Sequence, residues 1–325
     1  MSLTNYYEEL QKRAAQGKNI RLGMIGFGRF PSTFTVQLDR IPAMQLVGVA
    51  ELNPARAQKT CDLMEWPKER YSAKSFEEAA KNGTTCIVEN AEELFKSDFI
   101  DILVDATGNP YAGIRHVKLA CQYHKDIIMV NIECMAAVGP ILTRMADEAG
   151  IVLSYAYGDQ PAKLCSLIDW ARTCGFEVCA AGEWRPYTEG DKELPPTDIV
   201  FERFGYDVEE AHRFGMNPKG YCSFLDNTKG AIEMCVVANA TGLGAPEGAL
   251  LPRRRRGPAA YPQAQGGRRK ALPLWRDGSL RAQLSRQGRL RAGPGRFPGR
   301  HVCGHAYGRA PDDQGRGHQG VVSHG

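Results

Sequence analysis

The chain has 325 residues, of which 43% are hydrophobic and 24% charged, enough for a sizeable core and about two domains. No apolar run approaches the roughly 20 residues of a membrane span, and the polar N-terminus lacks the apolar core of a signal peptide. We therefore expect a soluble cytoplasmic protein with no membrane partner. The 10 cysteines include no CxxC pair, which predicts reduced, buried thiols rather than disulfides.

The net charge of +4 conceals a break near residue 243. Residues 1–243 contain 25 Lys and Arg against 33 Asp and Glu, whereas residues 244–325 contain 16 against 4. The last stretch also holds 16 of the 35 Gly and 8 of the 19 Pro, and it shows no periodicity. It is compatible with a nucleic-acid-binding tail, a disordered linker, or a region translated out of frame from a GC-rich gene.

We favour an out-of-frame, disordered tail. Its basic residues are 15 Arg and a single Lys, and no short unit repeats, whereas a nucleic-acid tail normally mixes both residue types. We therefore expect no nucleic-acid partner.

Strand-like and helix-like segments alternate along the first 155 residues. Strands are predicted at 20–26, 45–50, 85–88, 100–106, 126–131 and 151–155. Helices are predicted at 33–40, 54–64, 91–96, 112–123 and 139–150. This order predicts an α/β fold with a Rossmann-type, doubly wound parallel sheet and right-handed crossovers.

The pattern changes after this sheet. A helix at 161–174 and a strand at 176–182 precede polar loops and a helix-like segment at 224–240. We therefore predict three regions: an NAD(P)-binding Rossmann domain over 1–156, an incomplete α+β substrate domain over 157–243, and the tail over 244–325.

The segment GMIGFGRFP places Gly26 and Gly28 between the first strand and a helix. In a dinucleotide fold the first glycine permits a tight turn, and the second lets the backbone approach the pyrophosphate at the helix N-terminus. Pro31 occupies the third glycine position, so the fingerprint is incomplete. Phe30 belongs to the same candidate cofactor turn, which would otherwise be an ordinary glycine-rich turn.

Two features bear on the choice of cofactor. Glu51 ends the second predicted strand, where a carboxylate suits the ribose 2′-hydroxyl of NAD, whereas Arg29 and Arg56 suit the 2′-phosphate of NADP. The residues alone leave this choice open.

A second candidate cofactor segment is DATGNP, at the end of a later strand. Ligands of open α/β sheets lie beyond the carboxyl ends of the strands. Thr107, Gly108 and Asn109 are therefore candidates for the nicotinamide end of the cofactor, or else form a plain strand-to-helix turn.

The chain resembles two related families. GFGRF, LVGVAELNPARA, VDATGNPYAGIRHVKLA and the stretch from VNIECM to TCGFEV are similar to homoserine dehydrogenases over about residues 18–180. Two motifs differ: Glu133 replaces the lysine of that family's NK motif, and GDQPA replaces its GGGIP.

A closer resemblance, over about residues 1–243, is to 1-deoxy-D-xylulose 5-phosphate reductoisomerase-like proteins. It is carried by TNYYEELQKRAAQGKNIRLGMIGFGRFPSTF, NIECM, GDQPAKL and FLDNTKGAIEMCVVANATGL. The resemblance implies NADPH as cofactor, with NAD as the alternative, a divalent metal (Mg or Mn), and a phosphorylated sugar substrate. The reaction implied is the conversion of 1-deoxy-D-xylulose 5-phosphate to 2-C-methyl-D-erythritol 4-phosphate in isoprenoid precursor synthesis. We also expect a homo-oligomer.

Such chemistry needs carboxylates, cations and an acid/base pair. The candidate catalytic residues are Glu133 and Asp159, which follow strand ends, and Lys163, Asp226 and Lys229. The alternatives are an exposed pair for Asp159 and Lys163, and a helix-start carboxylate beside a cation for Asp226 and Lys229. No spacing identifies metal ligands. The competing functions are a homoserine-type dehydrogenase and a non-catalytic nucleotide-binding protein with a basic tail.

Overall fold

The computed structural model describes residues 5–38, 40–183, 188 and 190–244, with the backbone of two short strands beyond them. Six strands form its sheet: β1 (Ile20–Ile25), β2 (Met44–Ala50), β3 (Cys86–Val88), β4 (Ile102–Asp105), β5 (Asp126–Met129) and β6 (Leu153–Tyr155). All neighbouring strands are parallel, in the order β3-β2-β1-β4-β5-β6. This is the Rossmann order, whose direction of winding reverses between β1 and β4.

Helices connect and follow these strands. In the sheet region they are α1 (Tyr6–Ala15), α2 (Arg29–Leu38), α3 (Pro54–Leu63), α4 (Phe76–Asn82), α5 (Glu92–Lys96), α6 (Pro110–Tyr123) and α7 (Ile132–Ala149). After the sheet come α8 (Gln160–Thr173), α9 (Ile199–Arg203), α10 (Val208–Arg213), α11 (Pro218–Leu225) and α12 (Thr228–Thr241). Short 3₁₀ turns lie at Lys68–Tyr71 and Asp191–Glu193.

The sheet is buried on both faces, as strands of an α/β fold usually are. Leu22 and Met24 of β1 belong to the core on one face, whereas Ile25 belongs to the core on the other. This alternation follows from the two-residue period of a strand. It explains why β1 is almost entirely apolar and why the sequence predicted it correctly.

The six predicted strands are confirmed, with ends that differ by one or two residues in most cases. Helix α7 begins at Ile132, seven residues before the predicted start, because Asn131 caps it by accepting a hydrogen bond from the Cys134 N–H at 3.2 Å. Helix α4 was not predicted.

Two predictions beyond the sheet are wrong. The stretch 176–182 is not a strand; its apolar residues Val178 and Ala181 pack instead beside Leu164 of α8 and Val237 of α12. The helix predicted over 224–240 is two helices, because Asn227 adopts a left-handed conformation (φ 66°) between α11 and α12.

Helix α12 packs against α7 at a point that the sequence of α7 creates. Pro140 lies inside α7 and has no N–H, so the carbonyl of Ala136 lacks its helical partner. The Asn239 side chain of α12 donates to this carbonyl at 2.9 Å. The proline thereby provides a docking point for α12 and fixes the position of that helix against α7.

Several other sequence predictions can be compared with the structure. None of the described helices combines the length and apolar character needed to cross a membrane. All nine cysteines of the described residues are free, but only Cys61, Cys86, Cys134 and Cys222 are buried. Beyond residue 244, Trp275–Arg276 and Ser279–Leu280 pair as two antiparallel strands; the rest of the predicted tail, with Cys303, lies outside the described residues.

Candidate functional site

Two turns meet at the carboxyl ends of β1 and β4, where the winding of the sheet reverses. Gly26 has a φ of 82°, and its N–H donates to the carbonyl of Ala50 at 2.8 Å. A Cβ at Gly26 would lie 3.2 Å from both Cα and Cγ2 of Thr107, whereas one at Gly28 would meet only Arg56, at 3.8 Å. The first glycine therefore allows the close approach of Thr107, and the second leaves the turn open.

The remaining candidates of the first turn differ in exposure. Phe30 is 57% exposed, whereas Phe27 is fully buried in the core under the turn. Arg29 begins α2, and its side chain lies outside the described part of the structure.

Glu51 lies beside this turn and contacts it directly. Its Oε2 accepts a hydrogen bond from the Phe27 N–H at 3.0 Å, and its Oε1 lies 4.0 Å from Nη1 of Arg56. The Glu51 side chain is only 10% exposed, whereas that of Arg56 is 64% exposed. Glu51 thus stabilises the glycine turn, and Arg56 is the more accessible of the two charges.

A buried polar network supports the second turn, and the sequence analysis missed most of it. The fully buried carboxylate of Asp105 accepts from the Thr107 N–H (2.9 Å) and the Thr107 hydroxyl (2.7 Å), and lies 2.8 Å from Nδ1 of His116. Asn131, also fully buried, donates to the Thr107 hydroxyl at 3.1 Å and to the Asn109 carbonyl at 2.8 Å. The network fixes the turn Thr107–Asn109, of which Gly108 and Asn109 are exposed.

Glu133 and Lys229 form an ion pair although they are 96 residues apart in the chain. Nζ of Lys229 lies 2.8 Å from Oε1 of Glu133. Glu133 belongs to the first turn of α7, just beyond β5, and Lys229 to the first turn of α12. Their side chains are 27% and 21% exposed, so the pair is partly shielded from water but open to a ligand.

Asp159 joins this pair from the next loop, at the start of α8. Burial raises the pKa of Asp159, a hydrogen bond from the backbone of Gln160 opposes the shift, the negative charges of Glu233 and Glu133 add to it, and the positive charge of Lys229 opposes it. Glu233 is a buried residue of α12 that the sequence analysis did not identify. The charges of Glu133, Glu233 and Lys229 therefore all act on Asp159 at the start of α8.

The two other predicted catalytic residues have different surroundings. Lys163 is exposed on α8. Asp226 ends α11, and its Oδ1 accepts from the N–H of Thr228 at 2.8 Å, so it caps the start of α12. Asp226 thus acts as a helix-start carboxylate. Lys229 contacts Glu133 and not Asp226.

The side chains around this site do not fit a divalent metal. Among the described residues, no three His, Cys, Asp or Glu side chains are grouped so that they would hold a metal ion. Cys134 follows Glu133 in α7, and burial raises the pKa of its thiol to about 11, so it is protonated at neutral pH. The groups that remain for chemistry are the carboxylates and the ammonium group.

The raised pKa of Asp159 leads to a prediction about stability. Because folding raises the pKa of this carboxyl, its ionisation destabilises the folded state. The loss of stability begins near the ordinary pKa of about 4 and grows as the pH rises through the raised pKa. We expect Asp159→Asn to raise the melting temperature at pH 7.5, and the gain to shrink as the pH is lowered toward 4.5. Melting curves of both proteins over this range test it.

Asp169→Asn is the matched control, because Asp169 is an exposed carboxylate of the same helix. A gain for Asp159→Asn that is equal at all pH values, or no larger than that of the control, would contradict the prediction.

Comparison with known proteins adds to this geometry. Residues 158–259 match the family model described as the catalytic domain of oxidoreductase DRL. The matched region begins beside Asp159, includes α8 to α12, and contains Lys229 and Glu233. No curated protein matches the sequence at a significant level.

Several solved structures are similar to parts of the chain. A homoserine dehydrogenase from Thiobacillus denitrificans is 16% identical, with a TM-score of 0.45 over 70% of this chain and 50% of its own. An oxidoreductase from Agrobacterium radiobacter, in complex with NAD⁺, L-tartaric acid and magnesium, is 13% identical, with a TM-score of 0.34 over 51% and 43%. A biliverdin reductase from Synechocystis sp. PCC 6803, in complex with biliverdin and NADP⁺, is 19% identical, with a TM-score of 0.33 over 49% and 44%.

The chain spans about half of the length of these proteins, or less. The fold assignment rests on the strand order of the sheet itself. This sheet is followed by the region that matches an oxidoreductase catalytic domain.

Proposed function

We propose that the chain reduces a carbonyl group with NADPH. The observation that carries the proposal is the Lys229–Glu133 ion pair, which lies with Asp159 beyond β5 and β6. In a doubly wound sheet a dinucleotide crosses the switch point, so one half of it reaches the strands on this side. The pair therefore lies where a nicotinamide ring and a substrate would meet.

The chain's own residues account for the proton and charge that such a reduction requires. When bound, NADPH supplies a hydride to the carbonyl carbon, and negative charge develops on the carbonyl oxygen. The Lys229 ammonium group stabilises that oxygen and donates a proton to it. Glu133 holds the ammonium group in place. Asp159 takes a proton from solvent and returns it to Lys229 after each turnover.

NADPH is proposed rather than NADH because of the charges beside the glycine turn. Glu51 already accepts a hydrogen bond from the turn, which leaves it less able to accept one from a ribose hydroxyl. The exposed Arg56 lies beside Gly28 and suits a 2′-phosphate.

For the substrate we propose 1-deoxy-D-xylulose 5-phosphate, as the resemblance over residues 1–243 implies. Its carbon skeleton rearranges to a branched aldehyde first, and the carbonyl group that receives the hydride is that of the aldehyde. In this proposal, residues 1–156 bind the cofactor, and residues 157–243 bind the substrate and supply Lys229. The described side chains do not offer a metal site, so no step depends on a metal. A homoserine-type dehydrogenase is the second candidate, because Lys229 places an ammonium group beside position 133, where that family carries a lysine.

The test measures NADPH oxidation with 1-deoxy-D-xylulose 5-phosphate and, separately, with aspartate semialdehyde, the product of homoserine oxidation. Each assay is run with Mg²⁺, with Mn²⁺ and with EDTA. A second chain is assayed in parallel. After residue 243 it is translated in the reading frame whose product resembles residues 1–243 in composition. Turnover of the sugar phosphate supports the first candidate, and turnover of the semialdehyde supports the second. NADPH binding without turnover by either chain would contradict both.

A change in the glycine turn tests the cofactor site separately. We expect Gly26→Ala to weaken NADPH binding and to destabilise the fold by about 1–2 kcal/mol, because alanine at a φ of 82° is strained and its Cβ would press on Thr107. The dissociation constant is measured by fluorescence titration, and the stability by urea denaturation.

Gly83→Ala is the control for this experiment. Gly83 has a similar φ of 72°, but its Cβ would meet nothing within 4 Å, and the residue lies at the end of α4. The control should therefore lose stability and keep its affinity for NADPH. Equal affinities for both variants would argue against a cofactor at the glycine turn.

A further inference from the structure

A cleft of ≈ 380 Å³ lies between the glycine turn and residues 212–215, which follow or end α10. One wall contains Gly28 and the cations Arg56 and Lys59. The other wall comes from the helical region after the sheet, and neither its position nor its charge was predicted. The cleft therefore joins the proposed cofactor region to the region that matches the oxidoreductase catalytic domain.

The second wall contributes a cation that is available to a ligand. The guanidinium group of Arg213 is 3.9 Å from Glu210, a long distance for an ion pair, and lies 4.9 Å from the centre of the Phe214 ring. Its side chain is 67% exposed. His212, beside it, is paired with Asp198 at 3.0 Å. Arg213 can thus turn toward an anion without breaking a buried contact.

The composition of the cleft indicates the chemistry of its ligand. Arg56, Lys59 and Arg213 line it, and no carboxylate is found among its lining residues in the described structure. The lining also includes the apolar side chains of Leu63 and Met64. Cations suit a phosphate, apolar surface suits an adenine ring, and the open turn at Gly28 suits a pyrophosphate.

We propose that this cleft binds the 2′-phosphoadenosine half of NADPH, and that Arg213 contacts the 2′-phosphate from across the cleft. The inference rests on the proposed function and adds a residue of the helical region to the selection of the cofactor. The 2′-phosphate is then held by Arg56 and Lys59 on one side and by Arg213 on the other. Cofactor binding would thereby hold residues 212–215 against the sheet region.

The experiment uses 2′,5′-ADP and 5′-AMP as probes, which differ only in the 2′-phosphate. Their dissociation constants are measured by calorimetry for the wild-type chain, Arg213→Ala, Lys59→Ala and the control Arg144→Ala. Arg144 is an exposed arginine of α7, outside the lining of the cleft. We expect each of the first two substitutions to weaken 2′,5′-ADP binding roughly tenfold, which corresponds to about 1.4 kcal/mol, and to change 5′-AMP binding little. The control should bind both probes as the wild type does.

The outcomes separate this inference from the proposed function. Binding of 2′,5′-ADP with the expected losses, but without carbonyl reduction, would support the cleft and contradict the proposed reaction. Wild-type affinity for 2′,5′-ADP in Arg213→Ala would overturn the role of Arg213, even if the chain reduces its substrate. Equal losses for both probes, or no binding of 2′,5′-ADP by the wild type, would overturn the phosphate site.

Discussion

Replacing Lys229 with methionine should lower the turnover number by a factor of roughly 10²–10⁴, the usual contribution of a positioned acid or base. Methionine fills a similar volume but removes the ammonium group that lies 2.8 Å from Glu133. The carbonyl oxygen then develops negative charge without a cation or a proton donor beside it. Steady-state kinetics with the substrate proposed above measure the loss, and NADPH titration should show little change in the dissociation constant.

A second variant separates charge from packing. Glu133→Gln keeps a hydrogen-bond acceptor for Lys229 but removes the negative charge, so we expect a smaller loss of turnover than for Lys229→Met. Lys219→Met is the control, because Lys219 is an exposed lysine of α11. If Lys229→Met retains wild-type turnover, or if it loses NADPH affinity in proportion to turnover, the ion pair does not serve the chemical step.

The sheet was predictable because its strands are short apolar runs that alternate with helices. β1 carries core residues on both faces, and the glycines after it signal the end of the strand. Helix α4 was missed because its sequence, FEEAAKN, has little apolar periodicity. Its start depends on Ser75, whose side chain accepts from the Glu78 N–H at 3.1 Å, a local signal that was not used.

The site was predictable only in part, because its residues meet through tertiary contacts. Glu133 and Asp159 were identified from their positions after strands, which is a local property. Their relation to Lys229 depends on how α12 packs on α7, and this packing depends on the contact between Asn239 and the carbonyl left unpaired by Pro140. Nothing in the spacing of Asp226 and Lys229 indicates a partner 96 residues away.

The largest expected loss of stability is for Asp105→Ala, in the buried network that supports the turn Thr107–Asn109. This substitution leaves the Thr107 N–H, the Thr107 hydroxyl and Nδ1 of His116 without the buried carboxylate that they contact. Removing one partner of a buried charged network typically costs about 3–5 kcal/mol. For a chain of this size that lowers the melting temperature by about 6–20 °C, which circular dichroism measures.

Two variants make this test specific to the buried network. Asp105→Asn retains an oxygen for Thr107, and its amide group donates to His116 if the histidine carries its proton on Nε2, so its loss should be smaller. Asp101→Ala, near the start of the same strand, removes a partly exposed pair with Arg21 and should cost about 1 kcal/mol or less. Equal melting temperatures for Asp105→Ala and Asp101→Ala would show that the network does not stabilise the turn. If Asp105→Asn stays folded but binds NADPH more weakly, the carboxylate acts on the cofactor site by holding Thr107, because Asp105 itself is fully buried beneath it.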